Sequence, residues 1–164
     1  MSLVAVNGSP SASSRTHALA AAAVAIAGDG LLIDAGALDA DALLMRGSSA
    51  DVTAALEAMA SASTLVLVTP VYRATFSGLL KLLLDQLPTD ALADTAVVLG
   101  ATGASPAHYL SLDTGLRAAV ASLGGWSVPT VVYATNDDFE DGVVAPAVRS
   151  RLERALGEAA RLVE

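Results

Sequence analysis

The stretch Thr64-Leu65-Val66-Leu67-Val68-Thr69 is apolar at four successive positions instead of alternating. A strand of that kind is stable only where both of its faces are covered, as in a parallel sheet. Similar runs recur at Leu3–Val6, Leu31–Asp34, Thr95–Gly100 and Ser127–Tyr133. Between them lie stretches with helical character. These are Arg15–Ala27, Asp51–Ala62 with Val52, Leu56 and Met59 on one face, Ser77–Leu87 closed by Pro88, Pro106–Leu123 ended by Gly124-Gly125, and Val143–Val163. Strict alternation of five strands and five helices predicts an α/β fold, a doubly wound five-stranded parallel sheet with helices on both faces. Pro129 interrupts the fifth strand and suits an edge position. Gly36–Ser49 is expected to be loop with a turn of helix around Asp41–Met45, and Ala134–Gly142 a solvated acidic loop. Arg149, Arg151 and Arg154 are expected on the exposed side of the last helix, and residues 1–164 form one domain in this reading.

Composition removes several function classes. The absence of cysteine excludes disulfides, thiol catalysis and cysteine-ligated metals. A net charge of −8 argues against non-specific nucleic-acid binding. No run of eighteen apolar residues escapes polar interruption, so no membrane span is expected. The N-terminus is strand-like and lacks a basic segment before an apolar one, which predicts a cytoplasmic location. His17 and His108 are isolated and have no carboxylate at metal-ligand spacing, so no metal site is expected. No Gly-x-Ser-x-Gly elbow supports a hydrolase. Asp137, Asp138, Glu140 and Asp141 lack the spacing of a calcium loop.

Three loops remain, and all three follow strands. The first, Asn7-Gly8-Ser9-Pro10-Ser11-Ala12-Ser13-Ser14-Arg15-Thr16-His17, joins a strand to a helix start. Free amides and the positive end of a helix dipole favour a phosphate there. Ser9, Ser11, Ser13, Ser14 and Thr16 add hydroxyl donors, and Arg15 adds a charged fork. Ser13 or Ser14 as a plain N-cap explains part of the pattern equally well. The second loop, Thr69–Gly78, contains Pro70, which predicts free amides at Val71 and Tyr72, and offers aromatic surface at Tyr72 and Phe76. Ser77 is expected to cap the following helix. The third, Ala101-Thr102-Gly103-Ala104-Ser105-Pro106, has a glycine that lets the backbone approach a ligand, with Thr102 and the amides of Gly103 and Ala104 as donors. In a sheet of order 2-1-3-4-5 these loops converge at the switch point between strands one and three.

The three segments together resemble the NADPH-dependent FMN reductases of flavodoxin-like fold, and among them the branch that supplies reduced flavin to alkanesulfonate-type monooxygenases. The resemblance is carried by Gly8-Ser9-Pro10 with Ser14-Arg15-Thr16, by Thr69 through Lys81 continuing to Asp85-Gln86-Leu87-Pro88, and by Ala101 through His108 with Leu112-Asp113 and Gly115-Leu116-Arg117. It implies FMN, with NADPH or NADH as hydride donor. The phosphate would lie at Ser9, Ser14, Arg15 and Thr16, and the ring edge at Pro70, Val71, Tyr72, Thr102, Gly103 and Ala104, with Ser11 and Arg73 as further candidate cofactor contacts. It further implies a homodimer or homotetramer and a partner monooxygenase. No nucleic-acid or membrane partner is implied, and no catalytic side chain, because the cofactor carries the chemistry. Arg73 is a candidate contact for a 2′-phosphate. Many relatives carry a basic residue where this chain has Ser11, and some a tyrosine at the place of Thr114; the first departure favours looser, releasable flavin. The alternatives are a tightly FMN-bound quinone, azo or metal-ion reductase, and a non-catalytic electron carrier of flavodoxin type.

Overall fold

The computed structural model describes residues 2–163. Its sheet has the order β2-β1-β3-β4-β5, built from β1 (Leu3–Asn7), β2 (Leu31–Asp34), β3 (Thr64–Pro70), β4 (Ala96–Thr102) and β5 (Trp126–Ser127). A further strand, β6 (Val132–Ala134), also pairs with β4. All of these pairings are parallel. The architecture is the flavodoxin-like one expected from the alternation of apolar runs. Every residue of β1, β3 and β4 is buried, as unbroken apolar runs require.

Helices cover both faces. On one face, α1 (Arg15–Ala27) and α6 (Pro146–Ala160) bury Leu19, Ala20, Ala23, Val148, Leu152 and Ala155 against the sheet. The small alanines of α1 let this helix lie close to the strands. On the other face, α3 (Ala50–Ser61), α4 (Gly78–Leu84) and α5 (Arg117–Ser122) contribute Val52, Met59, Leu80, Leu83 and Val120. A single-turn helix α2 (Ala40–Leu43) stands where a turn of helix is expected in the long connection after β2. Ser14, Ser49 and Ser77 cap α1, α3 and α4 by accepting from backbone amides.

Three elements differ from the sequence reading. The fifth strand is two pieces, broken around Pro129. There the Thr130 amide and hydroxyl both donate to the Glu158 carboxylate of α6, at 2.9 and 2.7 Å, in place of a ladder partner. The stretch Pro106–Leu123 is not one helix but a 3₁₀ turn (Pro106–His108), a wide π turn (Leu112–Leu116) and α5. The π turn carries Gly115 past Phe76; a Cβ there would stand 3.3 Å from the Phe76 ring and 3.1 Å from the Thr75 hydroxyl. Finally, the last helix starts at Pro146 rather than Val143. Val143–Val144 is strand β8, paired antiparallel with β7 (Phe139–Glu140) in a hairpin that, with a 3₁₀ turn at Asn136–Asp138, replaces the expected acidic loop.

Candidate functional site

The register of β1, β3, β4 and β6 brings Asn7, Pro70, Thr102 and Ala134 to one end of the sheet. The loops that follow these strands, with the β7–β8 hairpin, enclose an open cavity of about 700 Å³. That size falls within the range of small-ligand sites, roughly 300–1,000 Å³.

The first loop is held by buried polar contacts. Asn7 is fully buried; its side-chain oxygen accepts from the Ser9 amide at 3.0 Å and its amide donates to Asp34 at 2.8 Å. His17 Nδ1 meets the same Asp34 oxygen at 2.7 Å, so this histidine ties α1 to β2 and has a structural role. The Gly8 amide donates to the Val68 carbonyl at 2.7 Å, and the Ser77 hydroxyl donates to the Gly8 carbonyl at 2.7 Å. Added bulk at Gly8 would meet Leu80 Cβ at 3.0 Å and the Val68 carbonyl at 3.1 Å, so glycine is needed for close packing. Ser14 caps α1 by accepting from the His17 amide at 3.1 Å, which leaves its own O–H free to donate. Among the described residues, the amides of Arg15 and Thr16 have no acceptor and the Arg15 guanidinium has no carboxylate partner. Cap and anion cradle are therefore compatible functions of the same turn.

The second loop departs from expectation. The Val71 amide donates to the Thr102 carbonyl at 2.8 Å and the Tyr72 amide to the Thr75 carbonyl at 3.0 Å, so neither is free for a ligand. Parallel pairing with β4 runs through Pro70 and takes up the first donor; a two-residue turn closed by Tyr72 and Thr75 takes up the second. Arg73 (φ 52°) and Ala74 (φ 63°) form its left-handed tip. Tyr72 stays exposed at the cavity wall, whereas Phe76 is partly buried and packs against the core under the π turn.

The third loop is tied to the first by a 2.7 Å contact between the Thr16 and Thr102 hydroxyls. The Gly103 amide donates to the Ala134 carbonyl at 3.0 Å, whereas the Ala104 amide has no acceptor among the described residues. Gly103 answers to the protein as well as to any ligand. A Cβ at this position would strike the Tyr133 hydroxyl, which donates to the Ser105 carbonyl at 2.7 Å and pins the loop. Burial pushes the Tyr133 phenol above its usual pKa.

Of the residues expected to bind, the cavity brings together Ser9, Ser14, Arg15, Thr16, Pro70, Val71, Tyr72, Thr102, Gly103 and Ala104. Ser11 and Arg73 lie outside its lining; Ser11 instead bonds Ser13, which does face the cavity, at 3.1 Å. His108 sits exposed on the 3₁₀ turn, away from the lining. Asp113 pairs with Arg117 at 2.8 Å, an ordinary helix ion pair. The wall formed by Asn136, Phe139, Asp141 and Gly142 was missed. Its signal is in the chain: Asp141-Gly142 between Phe139-Glu140 and Val143-Val144 is the dipeptide that favours a tight hairpin turn. Both residues have positive φ, 49° and 79°.

Residues 1–140 match the family described as NADPH-dependent FMN reductase. An FMN reductase (NADPH) of Pseudomonas aeruginosa is 36% identical over 98% of this chain and 91% of its own length. The NADH-dependent FMN reductase SfnE of Pseudomonas putida is 36% identical over 95% of this chain and 91% of its own length. Among solved structures, an apo NADH:FMN oxidoreductase (EMOB) superposes with a TM-score of 0.90 at 38% identity, covering 99% of this chain and 90% of that one.

Proposed function

The chain belongs to the NADPH-dependent FMN reductase family, and from that premise we propose that the cavity binds FMN with its phosphate on the first turn of α1 and its ring between Tyr72 and the Thr102–Ala104 loop. The activity is NAD(P)H-dependent reduction of FMN. The observation that carries the placement is the convergence, at one end of the cavity, of unpartnered donors: the Arg15 and Thr16 amides, the Ser14 hydroxyl and the Arg15 guanidinium. That donor set is the chemistry a phosphate monoester requires. At the other end, Tyr72 supplies an aromatic face and the Ala104 amide a donor for a ring carbonyl.

FMN when bound supplies the acceptor for the nicotinamide hydride. The chain's residues position it. The Asn7–Asp34 contact ties the first loop to β2, and the Thr16–Thr102 contact fixes it relative to the third. The Ala104 amide stabilises negative charge at the ring edge. No side chain is asked to act as acid or base. The alternatives of quinone reductase and passive electron carrier are not favoured, since the relatives are flavin reductases.

Arg15 is the single cation of the lining, and Ser11, where the resemblance implies a basic residue in many relatives, lies outside it. Both features support a releasable flavin and delivery of reduced FMN to a partner monooxygenase. The resemblance supports a cytoplasmic homodimer or homotetramer; among the described residues no helix is long and apolar enough to cross a membrane. The test is to add FMN to purified protein and follow NADH and NADPH oxidation. Flavin-dependent oxidation of at least one nucleotide is expected, and oxidation of neither overturns the reading.

A further inference from the structure

We infer that the β7–β8 hairpin, through Asp141 at its tip, makes the site selective for flavin mononucleotide over the adenine dinucleotide flavin. The inference rests on the FMN placement above and deepens it. β8 packs against α1, with Val144 in the same buried cluster as Leu19, Ala20 and Ala23. The hairpin therefore flanks the anion-binding end of the cavity. Asp141 and Gly142 line that cavity together with Ser13, Ser14 and Arg15. Asp141 has no cationic partner among the described residues, and Arg15 has no anionic one, so two uncompensated charges of opposite sign border one space.

The chemistry of the two flavins differs at that point. A terminal phosphate monoester carries about −1.5 to −2 charge and three free oxygens, which the serine hydroxyls, two amides and Arg15 can meet. In the dinucleotide the same phosphorus is esterified once and joined to the second phosphate through an anhydride oxygen, leaving it one charge and two free oxygens, and so it gains less from the cradle. Its second phosphate must continue outward from the cradle, along a rim that presents the Asp141 carboxylate. Asp137 and Glu140 are exposed on the same segment but lie outside the lining. Asp138 is occupied at Thr135, whose amide and hydroxyl it accepts at 2.7 and 2.9 Å. Arg73 lies outside the lining.

The test compares dissociation constants of FMN and FAD, by quenching of flavin fluorescence, for wild type, Asp141→Asn and Asp137→Asn. Asparagine tolerates the left-handed backbone at position 141, so the first variant keeps the turn. Wild type is expected to bind FMN at least about tenfold more tightly than FAD, and Asp141→Asn to narrow that ratio by roughly threefold or more, mainly through tighter FAD. Asp137→Asn, whose side chain is outside the lining, should leave the ratio nearly unchanged. Added salt should narrow the wild-type ratio more than that of Asp141→Asn. Equal affinities in wild type, or an unchanged ratio in Asp141→Asn, overturn the inference while leaving the FMN reading intact. Binding of neither flavin overturns both.

Discussion

Two tight turns border the cavity, and they share a backbone shape but not a chemistry. At the tip of the β7–β8 hairpin, Asp141 and Gly142 take left-handed φ values of 49° and 79°, and both residue types suit them. In the turn after β3, Arg73 and Ala74 take 52° and 63°, and neither residue favours that region. A left-handed L-residue costs about 1–2 kcal/mol. The hairpin is thus encoded locally. The Tyr72 turn is imposed from outside, by the parallel pairing that ends at Pro70–Thr102 and by Ser77, whose amide donates to the Thr69 hydroxyl at 2.9 Å. Strain held by surrounding structure is characteristic of ligand-contacting segments, and this turn carries Tyr72.

The comparison breaks most readily at the hairpin. Gly142→Val adds a side chain into open space, so its cost is backbone alone, about 2 kcal/mol; a lowered urea midpoint with unchanged slope is expected. Next is the anchor of the strand that leads into the hairpin. Burial disfavours the charge on Glu158, but the Thr130 hydroxyl, the Thr130 amide and Arg154 outweigh it and hold the carboxyl below its usual pKa. Its proton is bound more weakly in the folded than in the unfolded chain. The stabilisation is therefore full above the ordinary carboxylate value and lost as pH falls through the lowered folded value. Glu158→Gln should cost about 1.5 kcal/mol near neutrality and flatten the acid limb of a stability–pH curve. Tyr133→Phe removes the bond to the Ser105 carbonyl and should cost about 1 kcal/mol, read as a lower melting temperature. Smallest is Ala74→Gly. It relieves left-handed strain and returns part of the gain as unfolded-chain freedom, for a net stabilisation of about 0.5 kcal/mol. Destabilisation by Ala74→Gly would show that the two turns do not differ as described.

The same contrast explains what could be read from the sequence. The strand–helix alternation and the helix faces follow from local periodicity, whereas the sheet order comes from the flavodoxin-like topology that alternation suggests. Ser14, Ser77 and Pro129 do what their residue types suggest. The occupied amides of Val71 and Tyr72 were not legible, since their acceptors, Thr102 and Thr75, depend on strand register and on a turn with no favourable residues. The reason for Gly103 lies in Tyr133, thirty positions away in the chain and one strand over. The hairpin wall was legible through Asp141-Gly142, but its acidic composition suggested solvent instead of a cavity. The π turn Leu112–Leu116 carries Gly115 past Phe76, a tertiary packing requirement that helical spacing alone does not show.

The central claim is that the first turn of α1 recognises the phosphate of the flavin. It is tested most directly by titrating FMN and riboflavin, which differ only in that phosphate, into wild type and into the Ser14→Ala/Arg15→Ala double variant. With charged hydrogen bonds worth about 1.5–3 kcal/mol each, wild type is expected to bind FMN on the order of a hundredfold more tightly than riboflavin, and the double variant to lose most of that margin. Equal binding of FMN and riboflavin by wild type would contradict the account.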